Sequence, residues 1–121
     1  MTKILIADDN NDLLEILVSR FRAVGFQVVA AQTGAAALDL ARREQPELAV
    51  LDVMMPELNG FQVCRRLRED ETLKDMPIVL LTAKDTEADQ FWGFEVGADL
   101  YLTKPIEPGE VVAEVQKLLE K

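Results

Sequence analysis

Five short apolar runs separated by longer amphipathic stretches constrain the fold of this 121-residue chain more than any other feature. The runs are Ile4 to Ala7, Phe26 to Ala31, Leu48 to Leu51, Ile78 to Leu81 and Leu100 to Leu102. Each has the length of a strand. Most are continuously apolar, as expected where both faces of a strand are covered. Helical periodicity fills the intervals. Leu14, Leu17, Val18 and Phe21 share one face, and Ala37, Leu38 and Ala41 share another. Phe61, Cys64 and Leu67 mark a third helix, Phe91, Phe94 and Val96 a fourth, and Val111, Val112, Val115, Leu118 and Leu119 a fifth.

Local signals agree with those boundaries. Thr33 suits an N-cap, and Pro108 suits the first turn of a helix. Gly25 and Gly97 follow helical patterns and can supply left-handed C-terminal caps. Strands alternating with helices imply a parallel sheet joined by right-handed crossovers. The expected architecture is a three-layer α/β sandwich, a flavodoxin-like (βα)5 fold with strand order 2-1-3-4-5. Its length fits a single domain over residues 1–121.

Composition then removes whole classes of function. With 22 acidic against 13 basic residues the net charge is −9, which repels a phosphate backbone and disfavours direct nucleic-acid binding. Histidine is absent, excluding His-based acid–base catalysis and the commonest zinc sites. A lone cysteine, Cys64, cannot form an internal disulfide and reads as a small core residue. No apolar run approaches the roughly 20 residues of a membrane span. Met1-Thr2-Lys3 running into Ile4 lacks the apolar stretch of a signal peptide. The expected setting is cytoplasmic, without membrane insertion.

In an open parallel sheet, ligands bind beyond the C-terminal ends of the strands. Asp8 and Asp9 follow the first run, Asp52 the third, Thr82 the fourth, and Lys104 with Pro105 the fifth. Three carboxylates converging at the switch point repel one another and call for a counter-charge. Magnesium fits, being a hard cation that binds one or two carboxylates together with phosphate oxygens. Lys104 adds a fixed positive charge. The first βα turn, Asp8-Asp9-Asn10-Asn11-Asp12, is acidic and free of glycine, so it does not suit a permanently bound nucleotide phosphate.

These residues together resemble the receiver domains of bacterial two-component response regulators, over essentially the whole chain. The matching pieces are Asp8-Asp9, the stretch from Asp52-Val53-Met54-Met55-Pro56 through Glu57-Leu58-Asn59-Gly60, Thr82-Ala83, and Tyr101-Leu102-Thr103-Lys104-Pro105. The resemblance implies a signalling switch rather than an enzyme. Asp52 is then the phospho-acceptor, and Asp8, Asp9, Asp52 and the backbone carbonyl of Met54 hold magnesium, with manganese an acceptable substitute. Asp9 would bind the metal directly and Asp8 partly through water. Thr82 and Lys104 would contact the phosphoryl group, and Thr82 and Tyr101 would form the switch pair. A cis peptide is expected at Lys104-Pro105. The implied partners are a histidine kinase or histidine phosphotransfer protein, an output protein or output domain, and a second copy in a phosphorylation-dependent homodimer. The changing surface would be the fourth helix, fifth strand and fifth helix.

Taken singly, each residue has a plainer reading. Asp8-Asp9 would serve as a cap for the first helix, and Asp52 as a turn residue ahead of Pro56. Thr82 could cap or turn, Lys104 could be solvated, and Tyr101 could simply be packed. Phe91 and Trp92 adjoin, so one helix face cannot bury both; one of them suits a partner surface, or the tryptophan is partly buried. The chain departs from the common pattern at Ile106, where phenylalanine is frequent, and carries Met54 and Lys84 two positions beyond Asp52 and Thr82. In the family those side chains influence attack by water, so a bulky Met54 implies slow self-dephosphorylation. A magnesium-dependent aspartyl-phosphate phosphatase would place an aspartate at Met54, and a phosphorylation-independent scaffold would not need this set of polar residues. A longer regulator with an output domain and a stand-alone protein are both open; Glu114 and Glu120 in a less basic fifth helix favour the latter.

Overall fold

The structure, a computed structural model, describes residues 2–82 and 97–120. Five strands, β1 (Lys3–Ala7), β2 (Gln27–Ala31), β3 (Leu48–Asp52), β4 (Ile78–Thr82) and β5 (Leu100–Thr103), form one parallel sheet in the order β2-β1-β3-β4-β5. Helices α1 (Asn11–Ala23), α2 (Gly34–Glu44), α3 (Gly60–Arg68) and a C-terminal helix (Pro108–Leu119) cover it. The flavodoxin-like three-layer arrangement and strand order agree with the sequence reading. The stretch carrying Phe91, Trp92, Phe94 and Val96, with Ala83 and Lys84, lies outside the described residues.

The apolar runs explain the layers. Along β1, Leu5 and Ala7 face one side while Ile4 and Ile6 face the other, because strand side chains alternate. Leu5, Ala49, Leu51 and Leu80 pack with Ala37, Leu38 and Ala41 of α2 and Val63, Cys64 and Leu67 of α3. Ile4, Ile6, Val50 and Leu81 pack with Leu14, Leu17 and Phe21 of α1 and Val111, Val112 and Val115 of the C-terminal helix. Burying a side chain such as Leu17 or Phe21 contributes about 1.5–3 kcal/mol. Continuous burial holds for the inner strands β3 and β4, while the edge strands β2 and β5 are only partly covered.

The caps expected at Thr33, Pro108 and Gly25 are present. Thr33 Oγ1 accepts from the Ala36 N–H at 3.1 Å, and Pro108 opens the C-terminal helix. Gly25, with φ +99°, ends α1 in a Schellman arrangement. The Phe26 N–H reaches back to the Phe21 carbonyl at 3.1 Å and the Gly25 N–H to the Arg22 carbonyl at 3.0 Å. Phe21 and Phe26 pack with ring centroids 5.6 Å apart. This is why β2 starts at Gln27 rather than Phe26. Gly97 also has positive φ, at +83°.

A tie absent from the sequence reading closes the end of the sheet opposite the acidic edge. Arg68 donates to the carbonyls of Gly97, Lys74 and Met76 at 2.9, 3.1 and 2.7 Å, and to Asp99 Oδ2 at 2.8 Å. Asp99 Oδ2 also accepts from the Ile78 N–H. One side chain thereby joins the end of α3, the entry to β4 and the turn into β5.

Candidate functional site

Sheet topology brings the site together. The chain leaves β1 toward β2 on one side, whereas β3 leads to β4 and β5 on the other, so a crevice opens beyond the C-terminal ends of β1 and β3. Asp8 continues β1: its N–H donates to the Ala31 carbonyl at 3.1 Å. Its carboxylate is fully buried, at 0% exposure, with Oδ1 accepting from the Asn10 N–H at 2.9 Å. Asp9 is exposed. Asn10, not the acidic pair, caps α1, with Oδ1 accepting from the Leu13 N–H at 3.2 Å. The plain capping explanation for Asp8-Asp9 therefore falls away.

Asp52 is the last residue of β3, paired with Leu81 and 2% exposed. The backbone after it is tightly held. The Val53 N–H donates to the Leu81 carbonyl, and the Val53 carbonyl accepts from both Met55 and Gly60 N–H. A Cβ on Gly60 would lie 2.5 Å from the Asp52 carbonyl oxygen, so α3 can begin against that strand only with glycine there. Asn59 caps α3 and Gln62 closes a reciprocal capping box, a pattern that the Asn59-Gly60-Phe61-Gln62 spacing already carries. The adjacent methionines part: Met55 is buried in the core, and Met54 is 67% exposed beside Asp52.

Thr82 ends β4, 2% exposed, and its carbonyl accepts from the Lys104 N–H. Tyr101 lies opposite Leu80 and Thr103 opposite Thr82. Residues two apart on a strand share a face, so Thr82 and Tyr101 are diagonal neighbours on the side covered by α2 and α3. Tyr101 is half-buried and packs against that core. The Lys104-Pro105 peptide is cis, as expected.

Lys104 joins the two sides of the crevice. Its Nζ lies 3.1 Å from Asp8 Oδ2 and 3.0 Å from Asp52 Oδ1. Burial pushes the Asp52 carboxyl up to about 6, the charge of Asp8 adds to that, and Lys104 opposes it. Burial pulls the Lys104 ammonium down, but its hydrogen bonds and charge contacts with Asp52 and Asp8 prevail and hold it above the ordinary lysine value. Asp8, Asp9 and Asp52 each offer an oxygen, all within 4.8 Å of one another. Three hard anionic donors against one ammonium leave the crevice with unbalanced negative charge, a donor set suited to magnesium or manganese.

The description "Response regulator receiver domain" belongs to the family model that matches residues 4–116. The chain belongs to this family. As a receiver it is 44% identical over 119 residues to the alkaline phosphatase synthesis transcriptional regulatory protein PhoP of Bacillus subtilis (strain 168), covering 98% of this chain and 49% of the relative. It spans about half the length of the curated relatives it matches. A putative response regulator from Chloroflexus aurantiacus J-10-fl superimposes with TM-score 0.92 at 35% identity, covering 99% of this chain and 98% of the other. The beryllofluoride-activated N-terminal receiver domain of Klebsiella pneumoniae RstA superimposes with TM-score 0.89 at 29% identity, covering 99% and 100% of the two chains. The receiver is thus a signalling domain of two-component systems. Among its described residues no helix is long and apolar enough to cross a membrane.

Proposed function

We propose that this receiver is a phosphorylation-activated switch that accepts a phosphoryl group on Asp52. The observation that carries the reading is Lys104 Nζ, bridging the buried carboxylates of Asp8 and Asp52 beside exposed Asp9. An Asp52 oxygen attacks the phosphorus of a phosphohistidine on a histidine kinase or histidine phosphotransfer protein. The new P–O bond replaces the P–N bond, whose electron pair leaves with the imidazole. Lys104 moves its contact from the Asp52 carboxylate to a phosphoryl oxygen, and the Thr82 hydroxyl donates to another. Asp9, Asp52 and the Met54 carbonyl, with Asp8 partly through water, would hold magnesium, or manganese in its place. When bound, the cation would offset negative charge on the transferring oxygens.

The added group brings charge and strong acceptors to the end of β4. Thr82 moves toward it, and Tyr101, its diagonal neighbour on β5, takes up the space released. The surface that changes comprises the fourth predicted helix, β5 and the C-terminal helix. The names of the relatives support a transcriptional output, reached through an output domain or a separate output protein. A second copy, in a phosphorylation-dependent homodimer, is a further partner in this reading. A net charge of −9 argues that this domain does not itself contact nucleic acid. The setting we propose is cytoplasmic, with slow self-dephosphorylation rather than turnover of an external substrate.

The test is intact-mass measurement after incubation with acetyl phosphate and magnesium, with EDTA and Asp52→Asn controls. One phosphoryl adduct, lost in both controls, supports the reading. An unmodified wild type that also fails to bind beryllofluoride overturns it.

A further inference from the structure

We infer that Gly34 is a positioning residue for the metal-binding loop after Asp52; this rests on the reading of Asp52 and its neighbours as a magnesium-assisted phosphorylation site. Gly34 is the first residue of α2, buried, and far from the acceptor in sequence. A Cβ built on it would stand 1.8 Å from the Leu58 carbonyl oxygen, 2.5 Å from the Leu58 carbonyl carbon and 2.7 Å from Leu58 Cβ. The first two are backbone atoms, so rotating a side chain cannot relieve the overlap. Its N–H donates to the Pro56 carbonyl at 3.2 Å, which also accepts from the Leu58 N–H at 2.9 Å. Between those two residues Glu57 sits at φ +72°, a left-handed conformation that a non-glycine side chain adopts only when its surroundings hold it there.

These contacts give the segment from Asp52 to Gly60 a third fixed point. Its near end is held through Val53 to β4, and its far end by Gly60 against the Asp52 backbone. Gly34 holds the middle. Met54, whose carbonyl the reading assigns to the metal, lies between the point at Val53 and the one that Gly34 holds at Pro56. Adding one methyl at Gly34 displaces Leu58 and Pro56, releases the turn at Glu57 and leaves the stretch around Met54 held only at Val53 and Gly60. Asp8, Asp9, Asp52 and Lys104 stay on strand ends that the change does not touch. Metal affinity should therefore fall while the carboxylate cluster persists.

The experiment compares magnesium titrations by calorimetry of the wild type, Gly34→Ala and Gly25→Ala. Gly25 is a stability control, because its positive φ makes alanine strained there while a Cβ meets nothing within 4 Å. The expected result is a magnesium Kd at least tenfold weaker in Gly34→Ala and within twofold of wild type in Gly25→Ala. A Gly34→Ala Kd within twofold of wild type, or an equal loss in both variants, overturns the positioning role. Should Gly34→Ala not fold, amide exchange in the wild type decides. Magnesium should slow exchange of the Gly34 N–H at least threefold more than that of the Phe26 N–H, and equal slowing overturns the inference. A wild type that binds no magnesium sinks the reading of the site and this inference with it; a wild type that binds alongside an unaffected Gly34→Ala sinks only the inference.

Discussion

Lys104 Nζ stands 3.0 Å from Asp52 Oδ1, across the width of β4, and makes the acceptor carboxylate one half of a buried ion pair. The same ammonium reaches Asp8 at 3.1 Å, so its removal leaves two neighbouring buried carboxylates without it. Lys104→Met should destabilise the metal-free protein by about 1–3 kcal/mol at neutral pH. It should also cut the initial rate of acetyl-phosphate labelling by at least about tenfold. Urea unfolding in EDTA and timed intact mass read the two effects. Unchanged labelling would show that Lys104 acts only on stability.

The raised Asp52 pKa makes a signed prediction for metal-free protein. Folding lifts this carboxyl from 3.8 to about 6, so the folded state holds its proton more tightly than the unfolded chain does. The resulting stability is fully present below the unfolded value and is lost as pH rises through about 6. Asp52→Asn cannot titrate. Relative to wild type it should gain on the order of 2 kcal/mol between pH 4 and pH 7.5 in EDTA. A wild-type-to-variant difference that is the same at both pH values would contradict the assignment. Magnesium should shrink the gain, since the ionised carboxylate then has a cation beside it.

Met54 is exposed beside the acceptor and contributes little to the core, unlike buried Met55. Met54→Asn should therefore stay within about 0.5 kcal/mol of wild-type stability. Its phosphorylated form should decay several-fold faster, because a small polar side chain lets water approach the phosphorus where the thioether blocks it. Phosphorylated protein is freed of acetyl phosphate by desalting and followed by intact mass. Equal lifetimes would remove Met54 as a barrier to water.

Arg68 reaches three carbonyls and one carboxylate from a single guanidinium. Arg68→Ala should cost about 2–4 kcal/mol, and Arg68→Lys should recover less than half of that, since one ammonium cannot span the fork. Chemical denaturation of the three proteins measures both. Full recovery with lysine would show that charge alone matters there. Neither variant should alter magnesium affinity, because the tie lies at the opposite end of the sheet from Asp52.

Much of this receiver was legible along the chain because the relevant signals are local. Strand identity follows from short apolar runs, and the inner strands are the continuously buried ones. Thr33, Pro108 and Gly25 act within a turn of their own position. The site residues could be placed at strand ends because a parallel sheet gathers all its C-terminal ends on one edge. The plainer alternative for Asp8-Asp9, a helix cap, gives way for a local reason. The cap of α1 falls to Asn10, two residues beyond Asp8, because the buried Asp8 carboxylate is committed to the Asn10 N–H and to Lys104.

By itself the sequence determined the described elements, their order and the polar residues that follow four of the five strands, since these depend on periodicity and on backbone chemistry within a few positions. Tertiary structure decided which of those residues meet. The bond from Lys104 to Asp8 spans 96 positions, and the Arg68–Asp99 bond spans 31. The approach of Gly34 to Leu58 depends on how two helices and a loop pack, and no periodicity encodes it. The Asp52 pKa is of the same kind. Burial, a neighbouring carboxylate and a lysine set it, and each arrives from a different strand end only once the sheet has formed.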